Sequence, residues 1–156
     1  MIYPDDFTRA LNFSLKWEGG YSDHPADPGK LTIYGIASHA HPIEVAKMKE
    51  LWDKDLKHEA LEIAKKIYLD NYWLSAGCDK LEWPLCLVHF DTAVNLGVER
   101  ANKLKEKALV IGNWSDYLFL RIEFYNGLKK PVFLSGWINR VIDLWKEAKS
   151  SYLGGD

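Results

Sequence analysis

Residues 83–97 read WPLCLVHFDTAVNLG, and this stretch decides the fold. Apolar side chains fall on nearly every side of the helix it would form, and no Lys, Arg or Glu stands between Pro84 and Val98. A helix that is apolar all round has no face to offer water, so it belongs at the centre of a molecule with other elements packed around it. Gly97 ends it. Within it Asp91 and Asn95 lie one turn apart. Buried polar groups need partners, so the pair implies a hydrogen-bond network, unless Asn95 faces a cleft.

Working outward, the periodicity is helical almost throughout. A first helix should run from about Asp6 to Glu18, with Asp5 or Asp6 as its cap and Gly19-Gly20 as its stop. YSDHPADPGK (residues 21–30) is dense in Pro, Gly and Asp and reads as loop, and LTIYGI (31–36) as a short strand or extended segment. Pro42 can open a short helix through Ile43, Ala46 and Leu51. A stronger helix spans about Leu56 to Trp73, with Ala60, Ile63, Ala64, Ile67, Tyr68 and Asn71 at helical spacing. Ser115 can cap a helix reaching Gly127. Pro131 starts a last one, with Leu134, Trp137, Ile138, Val141 and Trp145 inward. The fold class is therefore mainly α: about six helices around a buried central helix, with a small extended or β element after the first.

Composition narrows the function. The chain has 156 residues, 47% of them hydrophobic and 27% charged, which suits one globular domain with a real core. A formal net charge of -2 gives no reason to expect nucleic acid or an anionic membrane as partner. Seven Trp leave aromatics to spare for the wall of a binding cleft. Cys86 sits in an apolar run and reads as a small buried hydrophobe; with only Cys78 besides, a disulfide framework is not expected. MIYPDDFTRALNF lacks the basic head and apolar run of a secretory signal, and no stretch is long enough to span a bilayer, so synthesis in a cytoplasm is expected. His39 and His41 alternate in a loop with no Cys or third His nearby, so no metal is expected there.

Glu18 breaks the local rule. At 100° per residue, positions 7, 10, 11, 14, 15 and 18 share one face, which reads Phe7, Ala10, Leu11, Ser14, Leu15, Glu18. A carboxylate on an apolar stripe loses hydration, and its proton affinity should rise, which is what a general acid requires. The plainer alternative is a last-turn Glu reaching solvent past Gly19. Two more carboxylates follow, Asp23 and Asp27, then Thr32 and Tyr34. Asp27 stands between Pro25 and Pro28, which would hold it rigidly, although Asp-Pro-Gly is also an ordinary turn sequence.

WEGGYSDHPADPGKLTIYGI (residues 17–36) resembles the signature of glycoside hydrolase family 108, N-acetylmuramidases typified by phage and prophage endolysins. Glu18-Gly19-Gly20-Tyr21, Pro25, Asp27-Pro28-Gly29, Thr32, Gly35 and Ile36 carry the likeness. FDTAVNLG (90–97), RIEFYNGL (121–128) and FLSGWINRV (133–141) are similar to the family's second half, described as peptidoglycan-binding. Lys30 departs from the usual second Gly of the first motif, and the stretch from Ala108 to Leu118 is shorter than in many relatives.

The resemblance implies a lysozyme-like fold over 1–156, with a catalytic half at about 5–80 and a peptidoglycan-binding-like helical half at about 81–150. It implies Glu18 as catalytic acid, Asp27 as second carboxylate and Thr32 as a positioner of water. Tyr21, Tyr34, Trp73 and Asn95 are candidate sugar contacts, Asn95 through an N-acetyl group. The implied reaction is cleavage of the β-1,4 bond between N-acetylmuramic acid and N-acetylglucosamine in peptidoglycan, by a monomer with no metal or organic cofactor. Without a signal peptide, reaching the cell wall would take a partner such as a holin, or lysis. The alternatives are a lytic transglycosylase, needing one acid and no water-directing partner, and a non-catalytic module that only docks on cell wall.

Overall fold

A computed structural model describes residues 2–23 and 31–153. Helix α1 (Asp5–Glu18) leads into three two-residue strands, β1 (Tyr21–Ser22), β2 (Thr32–Ile33) and β3 (Ile36–Ala37). Helices α2 (Pro42–Asp53) and α3 (Lys57–Tyr68) follow, and α3 runs on into a π-helical turn, Leu69–Leu74, and then a 3-10 turn, Cys78–Lys80. The rest is helical: α4 (Leu85–Leu96), α5 (Val98–Ile111), α6 (Trp114–Gly127) and α7 (Pro131–Leu153). The fold is mainly α and lysozyme-like, with the small sheet directly after the first helix.

Helix α4 is the predicted axis. Every residue from Cys86 to Ala93 is buried, and α1, α5, α6, α7 and both short turns pack on it. Gly97, at φ +85°, ends α4, and α5 starts at the next residue. This seventh helix is one more than expected. Its inward stripe is only Ala101, Leu104 and Ala108, too small and too diluted by charge to stand out as a core-facing pattern.

Three local expectations are corrected. Helix α1 follows Pro4 with no side-chain cap, and Asp5 and Asp6 lie in its first turn, where they complement the helix dipole. In α6 the cap is Asn113 rather than Ser115: its side-chain oxygen accepts from Ser115 N at 2.8 Å, and Asp116 Oδ2 accepts from Asn113 N at 2.9 Å. In α7 Trp145 is 40% exposed, and Leu144 takes the inward place beside Val141 and Ala148.

The π-helical turn moves two side chains away from their expected places. Ala60, Ala64, Ile67 and Tyr68 form the buried stripe of α3, and unbroken α geometry would add Asn71. The wider π turn rotates the residues after Tyr68 out of that phase. Asn71 is exposed, Tyr72 half-buried, and Trp73 falls into the core.

The sheet is a meander in the order β1-β2-β3, antiparallel throughout. Ile33 pairs with Ile36, leaving Tyr34-Gly35 as a two-residue turn at φ +50° and +78°. Two positive φ values in a two-residue hairpin are the signature of a type I′ turn. Gly35 adopts this freely, whereas Tyr34 is held by its neighbours. Its N–H donates to Gly20 O at 2.8 Å, and its carbonyl accepts from Tyr68 Oη at 2.9 Å.

Candidate active site

Glu18 ends α1, with its side chain 21% exposed at the edge of the core. Three elements cradle it. The hairpin turn lies against it so closely that a Cβ on Gly35 would stand 2.7 Å from Glu18 Cβ and 2.5 Å from Tyr68 Oη. From α3 and the π turn come Tyr68 and Tyr72, whose hydroxyl pKa values are pushed up by burial first and by the charge of Glu18 second. From α7 comes Arg140, whose Nη1 donates to Glu18 Oε1 at 2.7 Å. Among the described residues nothing donates to Glu18 Oε2.

Arg140 is shared. Its Nη2 donates to Asp91 Oδ1 at 2.8 Å, and its Nε lies 3.2 Å from both Asp91 oxygens. Asp91, fully buried on α4, also takes Arg121 Nη1 at 2.7 Å and Ser14 Oγ at 2.9 Å. Burial opposes the charge of Asp91, yet Arg121 and then Arg140 outweigh it and hold the carboxyl down at about 2. Arg121 Nε reaches Tyr125 Oη at 2.7 Å, and Tyr125 donates to Asn95 Oδ1. Two acids and two guanidiniums thus form one chain from α1 through α4 to α6 and α7.

The balance at Glu18 differs from that at Asp91. Burial is the largest influence and raises its pKa; Arg140 opposes through charge and hydrogen bond but does not prevail. Most of Arg140's contacts go to Asp91, and Glu18 receives one bond, from Nη1. The carboxyl therefore binds its proton more tightly than an ordinary Glu, and among the described residues one of its oxygens accepts no hydrogen bond.

The other expected site residues divide. Tyr21 and Tyr34 meet around Trp52, with ring centroids 5.5 and 5.4 Å from it, and Tyr21 is 36% exposed. Thr32 is half-buried on β2, opposite Ser22 and Ala37. Asn95 is half-buried, and its side-chain oxygen is engaged by Tyr125. Trp73 as a sugar contact is a correction: it is 2% exposed, wedged edge-on between Phe7 and Phe90 at 5.6 Å from each, with no face left for a ligand. Asp27 lies outside the described residues. Among the described residues no group of three or more His, Cys, Asp and Glu could hold a metal ion, and no helix is long and apolar enough to cross a membrane.

Sequence reading missed Arg140, Tyr68, Tyr72 and Trp52. For Arg140 a signal existed. Asp91 in so apolar a helix requires a buried cation, and Arg121 in LFLRIEF and Arg140 in INRVI are the cations set in apolar runs of the later helices.

Residues 11–97, more than half of the chain, match the family profile of glycosyl hydrolase 108. The chain belongs to the glycosyl hydrolase 108 family. The matched segment carries Glu18, the hairpin turn, Tyr68, Tyr72 and Asp91, and stops before Arg121 and Arg140. No curated protein matches the chain. A solved structure of SagA from Brucella abortus is similar, with a TM-score of 0.71 over 92% of this chain and 94% of that one, at 24% identity. At that identity the likeness establishes the fold. Family 108 membership makes the chain a glycosidase, with peptidoglycan the substrate the family indicates.

Proposed function

We propose that the protein is a muramidase that hydrolyses the β-1,4 bond between N-acetylmuramic acid and N-acetylglucosamine, with Glu18 as general acid. The observation that carries the reading is the state of Glu18: edge of the core, proton affinity raised by burial, one oxygen anchored on Arg140 and the other without a donor among the described residues. Glu18 gives its proton to the glycosidic oxygen as the bond to C1 breaks, and water adds to C1, losing the proton that restores Glu18 to its acid form. The second carboxylate of such a reaction must steer that water or stabilise positive charge at C1. Asp91 is unsuited, since it is fully buried and neutralised by two guanidiniums. Asp27, helped by Thr32, is the candidate that the family resemblance implies, and Tyr21 and Tyr34 with Trp52 offer aromatic surface for sugar rings.

Clearing of a cell-wall suspension by wild type and Glu18→Gln tests the proposal, with mass spectrometry of the products. The variant should lose at least the ~10²–10⁴ that general acid catalysis supplies. Wild-type products should end in reducing muramic acid; anhydro-muramic ends would mean a lytic transglycosylase, and undiminished clearing by the variant would remove Glu18 from the mechanism.

A further inference from the structure

The arginine that touches Glu18 lies 122 residues away from it in sequence, outside the segment that matches the family profile. Its placement is over-determined. Arg140 is nearly fully buried, and Asp91 fixes the guanidinium through Nε and Nη2, so that Nη1 is the edge left to reach Glu18. Asp91 is itself fixed by Arg121 and by Ser14, one turn before Glu18 on α1. Such a planar, forked donor can bridge two carboxylates at once, which a single ammonium does poorly.

We infer that Arg140 is a positioning residue for the reaction: through Glu18 Oε1 it fixes the orientation of the acid and sets how readily the proton leaves. The inference rests on the reading of Glu18 as general acid. Among the described residues, the charged and titratable groups that act on Glu18 are Arg140 from α7, Asp91 from α4, Arg121 from α6, and Tyr68 and Tyr72 from α3 and its π turn; the hairpin brings Gly35 against it. Of these, Arg140 is the one with a hydrogen bond to the carboxyl. With its charge in place the ionised product of proton transfer is stabilised; with the charge gone Glu18 holds its proton to higher pH and gives it up less readily. Anchoring one oxygen also leaves the other in one orientation, and a displacement of about 1 Å can cost on the order of 10²-fold in rate. The second half of the chain, which the family resemblance marks for peptidoglycan binding, thereby acts on the chemistry itself.

The test is a carbon-13 NMR titration of the Glu18 carboxyl, assigned by difference against Glu18→Gln, together with the pH profile of kcat/KM. Arg140→Gln should move both the titration and the basic limb upward. Arg121→Gln strips the same buried Asp91 without touching Glu18 and should move them far less. An unmoved titration in folded Arg140→Gln, or an equal movement in both variants, overturns the inference. Where Arg140→Gln does not fold, Arg140→Lys carries the test. It keeps the charge balance at Asp91 but cannot span both acids, so kcat should fall about tenfold or more with KM in place, and a wild-type kcat would overturn the inference. If Glu18→Gln remains active, the proposed function fails, while the titration still reports on Arg140. If Glu18→Gln is inactive and the titration does not move, only the role of Arg140 fails.

Discussion

Replacing Gly35 by Ala should damage stability and activity together, and the structure supplies the size of both effects. The added Cβ would sit 2.7 Å from Glu18 Cβ, 3.1 Å from Glu18 Cγ and 2.5 Å from Tyr68 Oη. Carbon atoms in contact prefer about 3.5–4.0 Å, so the shortfall is close to 1 Å. Neither neighbour yields easily: one is the last turn of a packed helix, and the other is a hydroxyl bonded to Tyr34 O at 2.9 Å. Overpacking of this kind costs about 1–3 kcal/mol, and a left-handed residue with a Cβ about 1–2 kcal/mol more. The total is about 2–5 kcal/mol. Gly77 isolates the second cost, because it has φ +71° and ψ +29° and no atom within 4 Å of a Cβ. Gly77→Ala should therefore lose only about 1–2 kcal/mol and stay active. Urea melts followed by Trp fluorescence give the stabilities, and cell-wall clearing at a temperature where each variant is folded gives the rates. Pushing Glu18 by about 1 Å should slow Gly35→Ala by on the order of 10²-fold. A Gly35→Ala protein as stable as Gly77→Ala, or as active as wild type, would refute the claim that the turn is built against the acid.

Asp91→Asn leaves buried Arg121 without its counter-ion and Arg140 with Glu18 alone, and should cost about 3–5 kcal/mol in a urea melt; a loss below 1 kcal/mol would show that the arginines find water instead. Burial first, then the charge of Lys105, depresses buried His89 to about 4, from an ordinary 6.5. Its contribution to stability is full above pH 6.5 and is lost as pH falls toward 4, up to about 3 kcal/mol. Urea melts from pH 7 to pH 4 should show wild type losing ground to His89→Gln across that window, and a constant gap between them would contradict the assignment. Glu18 has the opposite sign: its pKa is raised, so its contribution is full below the ordinary 4.5 and is lost as pH rises through the folded value. Glu18→Gln should accordingly match or exceed wild-type stability at pH 7, and a clearly less stable variant would mean that the ion pair with Arg140 outweighs burial.

What could be read in advance follows from how local each signal is. The buried axis α4 was legible because twelve residues of near-continuous apolarity admit few other placements. Glu18 was legible because its helix is regular and its place on the stripe is a matter of counting turns. Trp73 was misplaced because a π-helical turn changes the phase, and that turn packs on α4, a tertiary contact that LDNYWL alone does not announce. Arg140 was overlooked because its role depends on a meeting of α1, α4 and α7, which no window of sequence contains. Its trace was indirect, in the unpaired charge of Asp91.

The separation between Glu18 and Arg140 also has a consequence in time. During synthesis at about 5–20 residues per second, the ribosome adds Arg140 about 6–24 s after Glu18, given the 122 residues between them. Throughout that interval Glu18 is without the guanidinium that pairs with it. Asp91 is translated before either of its arginines, so the central helix must wait, a lone anion in its middle, for α6 and α7 to arrive. Closing the core and completing the ion pair of Glu18 are therefore one late event, and on the proposed reading a nascent chain that stalls in α6 carries the acid without the residue that positions it.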